Sequence, residues 1–202
     1  WLGLQPANTR PAVIVYPEFD APGRIAALGQ CRSSDSFILF CSRTALDLPT
    51  FSVDQLAGQT LELRPGQSYP RSSLLETLAR GGYERTDMVQ TEGEMAVRGE
   101  VVDLWPPDTE KPLRLLFDGD KLESLREFNP GTQRSEAYLD PRKLLPMKEN
   151  QKSGTLAEHV PADALWFWDD VEPPDRDLEA GGKRPAVSPV SPLPSLLYTG
   201  LP

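Results

Sequence analysis

YERTDMVQTEGEMAVRGEVVDLWPPDTEKPLRLLFDGDKLESLREFNPGTQRS, residues 83–135, decides the fold of this chain, because short apolar runs alternate in it with glycine turns and with spaced arginines. Within it, Met95-Ala96-Val97-Arg98 and Val101-Val102-Asp103-Leu104-Trp105 read as two extended segments. The Gly99-Glu100 pair between them suits a two-residue type II′ turn, which takes glycine at its first central position. That turn pairs Arg98 with Val101, Val97 with Val102, Ala96 with Asp103, Met95 with Leu104 and Glu94 with Trp105. Side chains alternate between faces along a strand, so Met95, Val97, Val102 and Leu104 share the core side. Glu94, Ala96, Arg98, Val101, Asp103 and Trp105 share the other, where charges surround one large indole. Tryptophan and arginine are the side chains that most often anchor interfaces. The plainer reading is that Trp105 packs beneath a loop and Arg98 is a solvated strand charge. A single long strand bulged at Gly99 is the alternative to the hairpin, and it changes these facings.

Pro106-Pro107 ends this strand, since proline has no N–H for the ladder. Leu113-Arg114-Leu115-Leu116-Phe117, an Asp118-Gly119 turn and Lys121–Phe128 read as a second hairpin. Leu122 and Leu125, three apart, cannot share a face of a regular strand, so a bulge or irregular turn is expected there. Asn129-Pro130-Gly131 closes the unit. Upstream, Ala12–Tyr16 and Ser36–Cys41 are continuous apolar runs of the kind that fill strands buried on both faces. A short helix candidate over 22–28, with Gly29 near its end, lies between them, and a β-α-β order of this kind implies parallel pairing. Leu61-Glu62-Leu63 reads as an edge strand. A helix over 72–80 has capping-box spacing at Ser73 and Glu76, an apolar face of Leu74, Leu75, Leu78 and Ala79, and Gly81-Gly82 as its stop. Leu144-Leu145-Pro146 is read as closing the central domain. Ala164–Trp168 reads as a strand returning to the first layer, and the prolines from Pro173 onward mark an extended linker.

At 202 residues, 39% hydrophobic and 25% charged, the chain has the composition of an ordinary globular protein with room for one or two cores. A net charge of −9 disfavours nonspecific nucleic-acid binding by the whole chain, since that affinity rests on lysine and arginine neutralising phosphates. Cys31 and Cys41 fit a reduced, cytoplasmic setting better than a disulfide scaffold, and no apolar run reaches membrane-spanning length. The chain opens on Trp1 rather than methionine, as an excised piece of a longer protein would. No Gly-rich loop ends in Gly-Lys-Ser/Thr to cradle phosphates. Gly181-Gly182-Lys183-Arg184 lacks the glycine spacing, the hydroxyl and a preceding strand. Asp169-Asp170 has no such loop to work with. His159, the one histidine, reads as structural or surface, and Asp118 and Asp120 as turn formers rather than calcium ligands. No residue is therefore assigned to catalysis, to a cofactor or to a metal.

Gly82-Tyr83-Glu84-Arg85, Gly93-Glu94, Val97-Arg98-Gly99, Asp103-Leu104-Trp105-Pro106, Phe117-Asp118-Gly119-Asp120, Leu122–Leu125 and Thr132-Gln133-Arg134-Ser135 occur in an order that resembles the UvrB-homology region of the bacterial transcription-repair coupling factor (Mfd) family. The Thr-Gln-Arg-Ser ending is closer to that family than to UvrB. The resemblance implies an α/β plus α+β architecture. Residues 1–50 would be a partial helicase-like parallel α/β layer. Residues 51–146 would be an inserted small antiparallel β domain with a short helix, similar to domain 2 of UvrB. Read from the residues themselves, 147–172 would supply the return strand and 173–202 a proline-rich linker or tail. The resemblance further implies a noncatalytic module that binds UvrA in nucleotide excision repair through Arg85, Arg98 and Trp105. DNA and RNA polymerase would be engaged only by other domains of a longer chain. UvrB commonly carries a second arginine where this sequence has Ala96, a departure expected to weaken the contact. Two other readings stand beside this one: the inert part of an ATP-dependent DNA translocase, holding DNA or regulating a motor, and a structural remnant whose central face is covered by its own tail.

Overall fold

The computed structural model describes residues 10–165. The chain divides into two units, 1–159 and 160–202, and the described part of the second is a short turn in which the Ala164 N–H donates to the Pro161 carbonyl at 3.0 Å. The expected strand at Ala164–Trp168 falls largely outside the described residues, and Asp169-Asp170, Gly181–Arg184 and the proline-rich tail fall wholly outside them.

The first unit opens with β1 (Ala12–Tyr16), α1 (Ala21–Ser33) and β2 (Phe37–Cys41). The two strands pair in parallel from Ala12 opposite Phe37 to Tyr16 opposite Cys41, as the β-α-β order requires. Ile14 and Tyr16 are buried, as are Ile25, Ala27 and Leu28 of α1. Burial on both faces, expected from the apolar runs, is not what the strands show. Val13, Val15, Ile38 and Phe40 line up on the other side and stay exposed, Val15 by 67% and Phe40 by 57%. Among the described residues the pair has neither a third strand nor a layer over that side. The helix also runs past Gly29, because that glycine is packing space rather than a stop. A Cβ there would lie 2.6 Å from Leu145 Cδ1. Cys31 and Cys41 are free thiols.

Two short helices follow that the sequence reading missed. In α2 (Arg43–Asp47) the Ser42 hydroxyl accepts from the Ala45 N–H, and α3 (Val53–Gln59) has a complete capping box between Ser52 and Gln55. Next come β3 (Leu61–Leu63) and α4 (Arg71–Arg80). The capping box expected at Ser73 and Glu76 is absent, since the helix already starts at Arg71 behind Pro70 and Ser73 lies inside it. A proline can precede the first turn because the opening amides of a helix need no intrahelical partner.

The remaining strands are β4 (Glu84–Arg85), β5 (Glu94–Arg98), β6 (Val101–Leu104), β7 (Leu113–Asp118), β8 (Lys121–Phe128), β9 (Ser135–Tyr138) and β10 (Arg142–Leu144). β4 to β9 form a six-stranded sheet in chain order, antiparallel except for the β4–β5 pair, while β10 pairs with β3. The β5–β6 register is the expected one at all four pairs, and Gly99 at φ +57 leads the turn. In the second hairpin Asp118 pairs with Lys121, so the central residues are Gly119-Asp120 with Gly119 at φ +59, one step later than expected. The irregularity expected between Leu122 and Leu125 is a register shift after Leu116. It lets both leucines reach the core with no exposed surface. Asn129-Pro130-Gly131 does not close the unit, because β9 adds one further strand to the sheet.

One side of this sheet packs on α4. Leu74 and Leu78 meet Met95, Val102, Leu104, Leu113, Leu115 and Phe117 in a single apolar cluster, with Val97 at its margin. The segment after β10 returns to α1 through a buried ion pair. Arg24 holds the Glu149 carboxylate, which also accepts from Thr50 Oγ1 at 2.5 Å. His159 is structural: it is buried, and its Nε2–H donates to the Phe51 carbonyl at 2.8 Å. Burial pulls its imidazole below the ordinary histidine range.

Candidate functional site

The sheet face away from α4 is built from cross-strand rows. Pairing places Ala96 beside Asp103, Asp103 beside Arg114, Arg114 beside Arg126 and Arg126 beside Tyr138, a row that crosses five strands. Directly paired residues share a face, so one carboxylate and two guanidiniums stand in line, with Arg98 two residues along β5 from Ala96. Asp103 is buried to 1% exposure and is matched from two sides. Arg114 donates Nε to its Oδ1 at 2.7 Å and Nη2 to its Oδ2 at 2.9 Å, while Arg98 donates Nη2 to Oδ2 at 2.5 Å. The bond to Asp103 raises the Arg114 pKa further above its ordinary value.

A loop folds over this row. Asn129 Oδ1 accepts the N–H groups of Gly131 and Thr132, and Gln133 sits at φ +60, a left-handed conformation uncommon for a side chain of that kind. The Gln133 carbonyl accepts from Arg114 Nη1 at 3.0 Å, and its Nε2 donates to the Pro130 carbonyl at 2.7 Å. Arg114 also lies over the Phe128 ring, 4.5 Å from its centroid, and Arg126 lies over Tyr138 at 4.0 Å. Such cation–π contacts hold a guanidinium plane without neutralising it.

Of the three residues singled out from the sequence, the structure brings Arg98 and Trp105 to this face. Trp105 is half-buried: it packs on Val89, Ala96 and Phe128 and donates Nε1–H to the Thr109 carbonyl at 3.1 Å. Arg98 keeps 45% of its side chain exposed. Arg85 is exposed on the edge strand and stands opposite Met95, so by register it belongs to the α4 side. Ala96 is buried beneath the Val89–Phe128 cluster rather than displayed. Glu94, also expected on this face, turns its carboxylate to the Gln90 and Thr91 amides, at 2.6 and 2.9 Å, which hold it below the usual carboxylate range.

Arg114 and Gln133, the residues that complete the cluster, were not among the site residues chosen from the sequence. The alternation of β6 marks Asp103 as facing away from the core, and an acid so placed needs a basic partner if it is covered. That signal points to a partner without saying which arginine supplies it. Among the described residues no group of acidic, histidine or cysteine side chains is arranged to hold a metal ion, and no helix is long and apolar enough to cross a membrane.

Residues 61–149 match the family model described as the UvrB interaction domain. The chain is 33% identical over 127 residues to a transcription-repair-coupling factor of Myxococcus xanthus, covering 63% of this chain and 10% of that protein. It is 38% identical over 94 residues to the Escherichia coli K12 protein of that name, covering 46% and 8%, and 27% identical over 149 residues to the Bacillus subtilis 168 protein, covering 72% and 13%. The chain thus spans about a tenth of the length of these relatives.

Proposed function

We propose that residues 61–149, which match the UvrB interaction domain model, form a protein-docking module that binds UvrA in nucleotide excision repair, as part of a protein similar to the transcription-repair coupling factors. The observation that carries this reading is the family match itself, which ends at Glu149 and so takes in the whole six-stranded sheet together with β3, α4 and β10. The chemistry of the face agrees with it. Two guanidiniums are set against one carboxylate, the exposed member is Arg98, and Trp105 supplies half-buried apolar surface further along the same face. An acidic segment of a partner protein suits such a face, because a guanidinium fork binds a carboxylate through two parallel charge-assisted bonds.

On this reading β1, α1 and β2 belong to a helicase-like α/β layer, and residues 51–146 correspond to domain 2 of UvrB. Arg85 is a second contact at the edge of the sheet. DNA and RNA polymerase are met by other domains of a longer protein. The test is calorimetric titration of the chain, and of its Arg98→Ala and Arg85→Ala variants, against purified UvrA. The wild type should bind, and the loss of Arg98 should cost about 2 kcal/mol, as for an interface hot spot. Unchanged affinity in both variants would remove the reading.

A further inference from the structure

Taking the docking role above as its footing, we propose that Asp103 is a positioning residue: it grips one nitrogen of Arg98 from below while Arg114 cancels its charge, leaving the other donors of Arg98 aimed outward at a carboxylate of an acidic partner segment. The two arginines are not equivalent. Arg114 has 16% of its side chain exposed and its nitrogens are engaged within the chain, Nε and Nη2 by Asp103 and Nη1 by the Gln133 carbonyl and Ser135 Oγ. Arg98 uses Nη2 alone, toward Asp103 and, at 3.4 Å, toward Gln133 Oε1. Its Nε and Nη1 have no acceptor among the described residues, and 45% of the side chain is open.

Arginine carries five donors in a rigid plane, so fixing one edge of the plane aims the rest. Held only by Asp103, Arg98 would be a neutral pair with little attraction for an anion. With Arg114 behind the same carboxylate the trio keeps one positive charge, and that charge belongs to the exposed member. Arg126, next in the row and stacked on Tyr138, adds to the positive side of the balance. An arginine held in its binding geometry before contact loses less side-chain entropy on docking, which lengthens the life of the complex. A protein carboxylate fits better than nucleic-acid phosphate, since the whole chain carries −9 and would repel a polyanion.

The positioning claim is read in the chain alone by nitrogen-15 relaxation of the arginine side chains, with Arg85 as the internal control, since it is exposed and has no ion pair among the described residues. Arg98 should be restrained and Arg85 free; equal mobility of the two overturns the proposal whatever UvrA does. The docking claim is read in association kinetics with purified UvrA. Asp103→Asn should raise the dissociation rate about tenfold without lowering the association rate, because it releases Arg98 while making the face more positive. Arg98→Lys, an exposed change that spares the fold, should likewise keep the association rate and speed dissociation, since it retains the charge and loses the fork. A folded Asp103→Asn chain with wild-type dissociation, or displacement of UvrA by an equal concentration of duplex DNA, overturns the proposal. If the wild type fails to bind UvrA, the docking role falls, and the positioning claim is still decided by the Arg98–Arg85 contrast.

Discussion

On one face of the six-stranded sheet, leucines, Met95, Val102 and Phe117 meet α4 in a cluster without charge; on the other, the same strands carry Asp103 between two arginines under a loop that ends in a left-handed Gln133. Both faces are covered, but for different physical reasons. The first closes because burying apolar area is favourable and nondirectional, so any arrangement that excludes water serves. The second closes only if each buried polar group finds its partner, which ties it to particular donors at particular distances. A sheet built this way gains its stability on one side and keeps a usable charge on the other.

The contrast is tested most strongly on the apolar side. Leu115, with no exposed surface, should lose about 3–4 kcal/mol of stability on truncation to alanine, read by denaturant unfolding. Asp103→Ala should come close behind, at about 3 kcal/mol, because it leaves Arg114 facing Arg98 and Arg126 with no counter-charge; the same melt reads it. Were it nearly silent, the polar face would be filler rather than a constraint.

Acid should separate the sheet from the α/β strands beside it. The folded His159 imidazole has a pKa below its unfolded value, so its contribution is present above the unfolded pKa of about 6.5 and is lost as pH falls toward the folded pKa. Between pH 7.5 and 5.5 the midpoint of unfolding should drop by an amount equivalent to at most about 1.4 kcal/mol per pH unit below 6.5. Amide exchange should rise around Phe51 before it rises in β5 to β8, and His159→Gln should remove the effect. The smallest change is expected for Arg98→Ala, at about 0.5 kcal/mol, since an exposed guanidinium adds little to folding when Asp103 is already matched by Arg114. A loss as large as that of Asp103→Ala would make Arg98 a structural latch and erase the distinction between the two arginines.

Much of the sheet could be read along the chain because its signals are local. Glycine at the head of a two-residue turn set the β5–β6 register, and that register decided which side chains face α4. The spacing of Leu122 and Leu125 announced the register shift opposite Leu116. The strands at Ala12–Tyr16 and Phe37–Cys41 were legible for the same reason, but their burial was not. Apolar content says that a face can be covered, and only the neighbouring layers say whether it is.

Local chemistry in the amino-acid string was thus enough to place most of the strands, the Gly99-Glu100 turn and the side of the hairpin on which Arg98 and Asp103 stand. Folding in three dimensions decided that Arg114 lies opposite Asp103, that Gln133 bends back to it, and that Arg85 belongs to the other face. The first two of these pairings cross the connection over 105–112 and the loop after Phe128, where no short-range turn dictates register. They are selected by the cost of leaving one buried carboxylate unmatched, a quantity that exists only once the sheet has closed.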